Sequence, residues 1–207
     1  MPIRLIGGSL LHADSHPCNR IERLPEEPYH PYIPPSEDIA RIKLVATKDQ
    51  RDFIEVLYHT MARQGEILKL TWDDVNFEQR WVRLYTRKRR GGELQADHIP
   101  MNKSLYGVLN QRRKERKGNS DFVFRFNQYQ RNFMMRTLCK RAGVRPFGFH
   151  AIRHHVASVL NNSGKASMKQ IQVLLRHRRQ STTEIYLHTI GQGVRNAVEV
   201  LDEVSWS

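Results

Sequence analysis

Cysteine is scarce. The 207 residues hold two, Cys18 and Cys139, in dissimilar segments and in no Cys-x-x-Cys pair, which excludes a disulfide framework and a thiolate zinc site. Long apolar runs are missing too. Nothing approaches the roughly 18 consecutive apolar residues that cross a bilayer, and the apolar start Met1 to Gly8 is too short for a secretory signal. A cytoplasmic protein with no membrane partner is expected. Proline almost vanishes after residue 35, where only Pro100 and Pro146 remain of nine. The other seven crowd residues 1–35 without apolar periodicity, so that stretch reads as a leader or linker, with Pro28 to Pro35 extended. Negative charge is also in short supply: 21 Asp and Glu face 34 Lys and Arg, a net charge of +13. Such a surplus favours a polyanionic partner, because cations that neutralise phosphates release counterions. Composition alone does not separate nucleic acid from acidic lipid. The placement of the charges must.

Regular structure is expected from Thr47 onward. Thr47 and Gln50 form a capping box, and Phe53, Ile54, Leu57, Tyr58 and Met61 make one helical stripe. A short helical pattern over Arg63 to Leu70 comes next, then three strand-like pieces: Val75 to Phe77, Trp81 to Tyr85 and His98 to Met101. Gly91 and Gly92 supply the permissive backbone that joins the last two as a hairpin. The remainder reads as helices: Leu105 to Arg113, Gln128 to Ala142 closed by Gly143, Phe149 to Asn161, and Ser167 to Leu175. A capping box at Ser181 and Glu184 opens a further short helix, and Val194, Ala197, Val198, Leu201 and Val204 form a terminal amphipathic stripe. The fold class is therefore α+β, mostly helical with a small three-stranded antiparallel sheet, over residues 36–207.

His150 and Arg153 are three residues apart on a helix, so they share one side of it. Alone, such a pair is an ordinary basic helix edge. It has company: Arg63 between the first two helices, Lys88 in the run Arg87-Lys88-Arg89-Arg90 at the hairpin, His177 after Leu175-Arg176, and Tyr186 nine residues later. The segment Met61-Ala62-Arg63-Gln64-Gly65-Glu66-Ile67-Leu68-Lys69-Leu70-Thr71-Trp72, the pattern His150-x-x-Arg153-His154, Leu-x-His177 and Thr183-x-x-Tyr186 resemble, in order and spacing, the motifs of the tyrosine recombinase (phage integrase) family. The resemblance covers nearly everything from Pro31 to the C-terminus.

What the resemblance implies is chemically sensible for these residue types. Arg63 and Arg153 would hold the non-bridging oxygens of a DNA phosphodiester with two guanidinium forks. Tyr186 would attack the phosphorus to form a 3′-phosphotyrosyl link, which conserves the bond energy, so that neither ATP nor a metal is needed. A free phenol has a pKa near about 10, so a base is required, and His150 is the candidate. Lys88 would protonate the departing 5′-oxygen, and His177 would donate a hydrogen bond to the phosphate. Lys88 is the only lysine of its run, though such a run also suits a solvated hairpin tip. Glu66, one turn after Arg63, would orient that arginine.

The sequence departs from the family pattern twice. Arg176 stands where a glycine usually precedes the histidine, which puts a bulky cation beside the site, and His155 replaces a small hydroxyl residue. Rival readings are a DNA-binding fragment that does not cut, a type IB topoisomerase-like relaxation of DNA, and a metal site on His150 and His154. No third metal ligand stands at a telling spacing, and Arg153 would repel a cation. The partners expected are duplex DNA, further copies of the chain in a synaptic assembly, and a DNA-bending accessory protein, with association to the nucleoid when DNA is bound. The terminal helix 192–204 either covers its own core or docks on a neighbouring copy. In the second case, removing Gln192 to Ser207 abolishes assembly and spares the fold. Recombinases of this kind usually carry a helical core-binding domain first; here a proline-rich leader precedes the catalytic part, and Asn19 to Pro28 resembles the linker after such a domain. Weak, salt-sensitive DNA binding follows. The basic residues Arg112, Arg113, Lys114, Arg116 and Lys117 either track phosphates or form a solvated helix end.

Overall fold

The computed structural model describes residues 32–87, 94–116, 118–176 and 192–203. Helix α1, Ser36–Val45, opens the described chain and lies where the sequence reading placed no element. The proline pair before it restrains the approach without opposing the helix: Pro35 is the N-cap, and its carbonyl accepts from the amides of Asp38 and Ile39. Acidic Glu37 and Asp38 sit in the first turn, Lys43 in the last, and Ile39 and Ile42 are buried. Helix α2, Lys48–Thr60, starts at the expected capping box, with both reciprocal bonds between Thr47 and Gln50 formed. It buries Phe53, Ile54, Val56, Leu57 and Tyr58 and packs on three sides, against α1 and against two helices further along the chain. The ring of Phe53 meets Phe124, Phe126 and Phe149 edge-on at 5.1, 5.2 and 5.4 Å between centroids, the geometry that aromatic quadrupoles favour.

Helix α3 is shorter than its pattern suggests, Gln64–Ile67. The chain leaves it because Leu70 and Trp72 take backbone partners elsewhere: Val123 N–H donates to the Leu70 carbonyl at 2.9 Å, and Trp72 N–H donates to Asp121 at 2.8 Å. A single 3-10 turn at Trp72–Asp74 leads into the sheet. Strands β1 (Val75–Asn76), β2 (Trp81–Arg87) and β3 (Leu94–Pro100) form an antiparallel meander in that order. The hairpin pairs Trp81 with Pro100 and Arg87 with Leu94, so it extends further toward its tip than the apolar pattern showed. On β2, Val82, Leu84 and Thr86 face inward at every second position.

Helix α4 (Lys103–Lys114) is capped by Asn102, and α5 (Gln128–Ala142) by the Asn127 and Gln130 box; α5 ends at Gly143 with φ 65. That left-handed closure is the one its glycine suggests. Helices α6 (Phe149–Asn162) and α7 (Met168–Leu174) follow, and α8 (Gln192–Glu203) is the last described element.

Helix α8 packs against its own chain. Val194, Ala197, Val198, Val200 and Leu201 are buried against α4, α6, α7 and β3. Asn102 donates from Nδ2 to the Val198 carbonyl at 3.1 Å, and the Asp202 carboxylate accepts from the amides of Lys103 and Ser104 at 2.9 and 3.2 Å. Removing Gln192 to Ser207 would uncover this apolar surface, which favours the reading in which the helix covers its own core. Arg112 is corrected. Its guanidinium donates to Asp49 and Asp52 at 2.8 and 2.9 Å and to the Val123 carbonyl at 3.1 Å, and it lies 4.3 Å from the Phe124 ring centroid. It is a pin between elements. Arg113 and Arg116 lie over Phe77 and Trp72, while Lys117 is outside the described residues.

Candidate active site

The site is built on the way α2 ends. Met61 adopts φ 48, a left-handed turn after Thr60, and this brings Arg63 to the start of α3. Arg63 N–H donates to Oε2 of Glu66 at 2.8 Å, and its guanidinium Nη1 donates to Oε1 at 3.0 Å. The Thr86 hydroxyl, facing inward from β2, donates to the same Oε1 at 2.8 Å. Glu66 is buried. Helix α6 contributes Arg153, whose Nη1 donates to the Met61 carbonyl and whose Nη2 donates to the Leu175 carbonyl. The turn after α7 contributes Arg176. Its Nη2 donates to Glu66 Oε2 and to the Met61 carbonyl at 3.4 Å, and its Nη1 to the Thr60 carbonyl at 3.2 Å.

Three guanidiniums thus converge on one carboxylate and a few carbonyls. Arg153 and the Arg176 side chain are each 3% exposed, whereas the Arg63 side chain is 45% exposed. Burial, then Arg176, then Arg63 bring the Arg153 guanidinium down to about 9. Burial also lowers Arg176, with Glu66 and Asp97 pulling the other way. Burial acts to raise Glu66, yet Arg176, the Arg63 amide and the Thr86 hydroxyl outweigh it and hold the carboxyl below its usual range. Cations crowded in this way, three guanidiniums against the carboxylates of Glu66 and Asp97, suit a further anion.

His150 sits one turn before Arg153 on α6, exposed, its ring edge-on to His154 at 4.6 Å between centroids. His155 points the other way. Its Nδ1–H donates to the Pro34 carbonyl at 2.8 Å, and burial lowers its pKa, so it fastens the start of α1 as a neutral imidazole. Its substitution for a small hydroxyl therefore leaves the site alone. The structure brings together Arg63, Glu66 and Arg153, with His150 on the same helix as Arg153; Lys88, His177 and Tyr186 lie outside the described residues. Among the described residues, no group of three or more His, Cys, Asp or Glu side chains is placed to hold a metal ion, and no helix is long and apolar enough to cross a membrane.

Two contributors escaped the sequence reading. Thr86 had a signal, the inward alternation of β2, which points it at the same side as Leu84. Arg176 was placed beside the site, but nothing in the sequence showed that it would turn inward onto Glu66.

Comparisons with known proteins show the family. The model of the phage integrase family matches residues 37–192. The chain belongs to that family. Curated relatives include tyrosine recombinase XerA of Pyrococcus horikoshii, 30% identical over 169 residues that cover 76% of this chain and 57% of the relative. Tyrosine recombinase XerD of Listeria innocua is 30% identical over 150 residues, 65% of this chain and 48% of the relative. The chain spans about half the length of these curated relatives. Among solved structures, the integrase of mycobacterium phage Brujita superposes with a TM-score of 0.70 at 20% identity, over 89% of this chain and 63% of that one. The XerA recombinase crystal structure gives 0.60 at 25% identity, over 82% and 64%. The α+β fold is that of this family's catalytic domains.

Proposed function

We propose that residues 36–207 are the catalytic domain of a site-specific DNA recombinase, which breaks and rejoins duplex DNA through a 3′-phosphotyrosyl intermediate and so integrates or excises a mobile element. The observation that carries this reading is the cluster of Arg63, Arg153 and Arg176 around the carboxylate of Glu66. Its excess of positive charge suits the charge that builds on a phosphodiester as it is attacked. Arg63 and Arg153 hold the two non-bridging oxygens. The Tyr186 oxygen attacks phosphorus while His150 takes the phenolic proton; the bond to the 5′-oxygen breaks, and that oxygen takes a proton from Lys88. His177 donates to the phosphate. Glu66 fixes Arg63 in place. Rejoining runs the same steps in reverse, which is why the cycle consumes no nucleotide.

Duplex DNA is the partner, a reading supported by the family and by solved neighbours such as the Tn1549 transposon integrase, described in complex with circular intermediate DNA. We further propose that copies of the chain assemble on DNA in the cytoplasm, where they associate with the nucleoid. If α8 mediates that assembly, it must first leave the seat it occupies on its own core.

Nicked duplex DNA that traps the covalent product tests the reading, with the chain compared against Tyr186→Phe on a denaturing gel, without metal or ATP. A protein–DNA adduct that the phenylalanine variant lacks is expected. Binding without any adduct would overturn it in favour of a DNA-binding protein that does not cut.

A further inference from the structure

Arg176 sits at φ 50, in the left-handed region where glycine is at ease and a long side chain is not. A residue held against its local backbone preference calls for an explanation from what its side chain does. Here the side chain is almost wholly enclosed, 3% exposed, and its Nε has no hydrogen-bond partner among the described residues. Its two terminal nitrogens reach Glu66 Oε2 and the carbonyls of Thr60, Met61 and Leu174. Two of these four acceptors, the carbonyls of Thr60 and Met61, belong to the α2–α3 turn that carries Arg63, and a third, Glu66, lies in α3. The Met61 carbonyl is also the one that Arg153 uses.

We infer, resting on the recombinase reading, that Arg176 is a positioning residue: it occupies Glu66 Oε2 and the Met61 carbonyl, and so keeps Arg63 turned outward for the phosphodiester. The alternative for Glu66 is plain. A free carboxylate takes an arginine with both oxygens in parallel, and the nearest candidate is Arg63 itself. That pairing would draw the guanidinium into the turn and spend its charge on a protein carboxylate. With Arg176 and the Arg63 amide on Oε2, and Thr86 sharing Oε1, Glu66 keeps only a single bond to the Arg63 guanidinium. Arg63 accordingly remains 45% exposed. Arg176 does not meet the DNA in this scheme. It acts through Glu66 and adds a buried positive charge behind the clamp.

The test uses the full chain and nicked duplex DNA of fixed sequence at saturating concentration, with Arg176→Gly, Arg176→Lys, Glu66→Gln and the double variant Arg176→Gly with Glu66→Gln. Adduct formation by Arg176→Gly should slow about 10- to 100-fold, as for a displaced positioning group, while duplex affinity changes less than about threefold. Lysine should recover part of the rate, since it can pair with Glu66 and not with the carbonyls as well. The double variant should be no slower than Arg176→Gly, because the carboxylate that captures Arg63 is gone. A rate for Arg176→Gly within about twofold of wild type, or a double variant slowed by the product of the two single losses, would overturn the inference. The guanidinium Nε–H resonance of Arg63, followed by NMR without DNA, gives a readout separate from activity. It should move in Arg176→Gly and return toward its wild-type position in Arg176→Lys; no movement overturns the inference. Should the glycine variant not fold, the lysine variant decides alone, by an intermediate rate and an intermediate resonance against wild-type values for both. If wild type forms no adduct, the recombinase reading fails, and the Arg63 resonance still decides the role of Arg176.

Discussion

The two ends of α2 carry ionic clusters of opposite balance. At its N-terminal end Arg112 lies between Asp49 and Asp52, while Lys48 reaches Asp52 and Glu115 at 3.0 and 2.7 Å. Three carboxylates meet two cations there, and the Arg112 guanidinium also caps a carbonyl and covers the Phe124 ring. At the C-terminal end, three guanidiniums gather about the carboxylate of Glu66, with Asp97 acting on Arg176 as well. The first cluster leaves no cation without a carboxylate and joins α2 to α4. The second leaves positive charge unanswered inside a low-dielectric turn, an arrangement that costs stability unless an anion arrives. Identical residue types gathered at the two ends of one helix thus do different jobs, and charge balance tells which is which.

Breaking each cluster at one arginine should separate the two roles. Arg153→Met should lower the rate of adduct formation on nicked duplex about a thousandfold, roughly 4 kcal/mol of transition-state stabilisation. Arg112→Met should instead lower unfolding stability by about 3 kcal/mol, since it leaves Asp52 buried and under-paired. Chemical denaturation measures that loss, and the variant that remains folded should cleave as wild type does. A cleavage defect in the Arg112 variant, at equal folded fraction, would erase the distinction between the two ends.

Acid titration sharpens the comparison further. The Glu66 carboxyl is held below its ordinary value of 4.5, so its contribution to stability is complete above that value and is lost as pH falls through the lower folded one. Unfolding free energies measured from pH 5 downward should fall less steeply in Glu66→Gln than in wild type. Equal slopes would mean that the arginines do not hold that carboxylate ionised. The smallest effect is the response to inorganic sulfate, with chloride as the ionic-strength control. Wild type and Arg112→Met should gain about 0.4 kcal/mol when sulfate equals its dissociation constant, and Arg153→Met should gain nothing. Thermal melting is precise enough to tell.

Much of the scaffold could be read in advance because its signals are local. Thr47 with Gln50 and Gly143 act on backbone within one turn of themselves; the first pair opens α2 and the glycine closes α5, each as expected. Helix α1 escaped because Pro34 and Pro35 were taken to extend the chain, although a proline at the N-cap is compatible with a helix that follows. The hairpin was legible in its turn and short in its length, since pairing continues past the last apolar residue of β2 to Thr86 and Arg87. In the site, Arg63, Glu66 and Arg153 were legible from motif spacing. The inward turn of Arg176 was not, because it depends on a left-handed backbone and on acceptors more than a hundred residues away in sequence. The carbonyl of Met61, shared by two arginines, could not be read from side-chain identities at all.

The first two amides of α4 borrow their acceptor from Asp202, close to the far end of the chain. A helix start normally looks after itself or is left to water. Here the protection of the Lys103 and Ser104 amides against solvent hydrogen exchange is set by whether α8 is seated, which turns two backbone protons into a clock for the departure of the C-terminal helix.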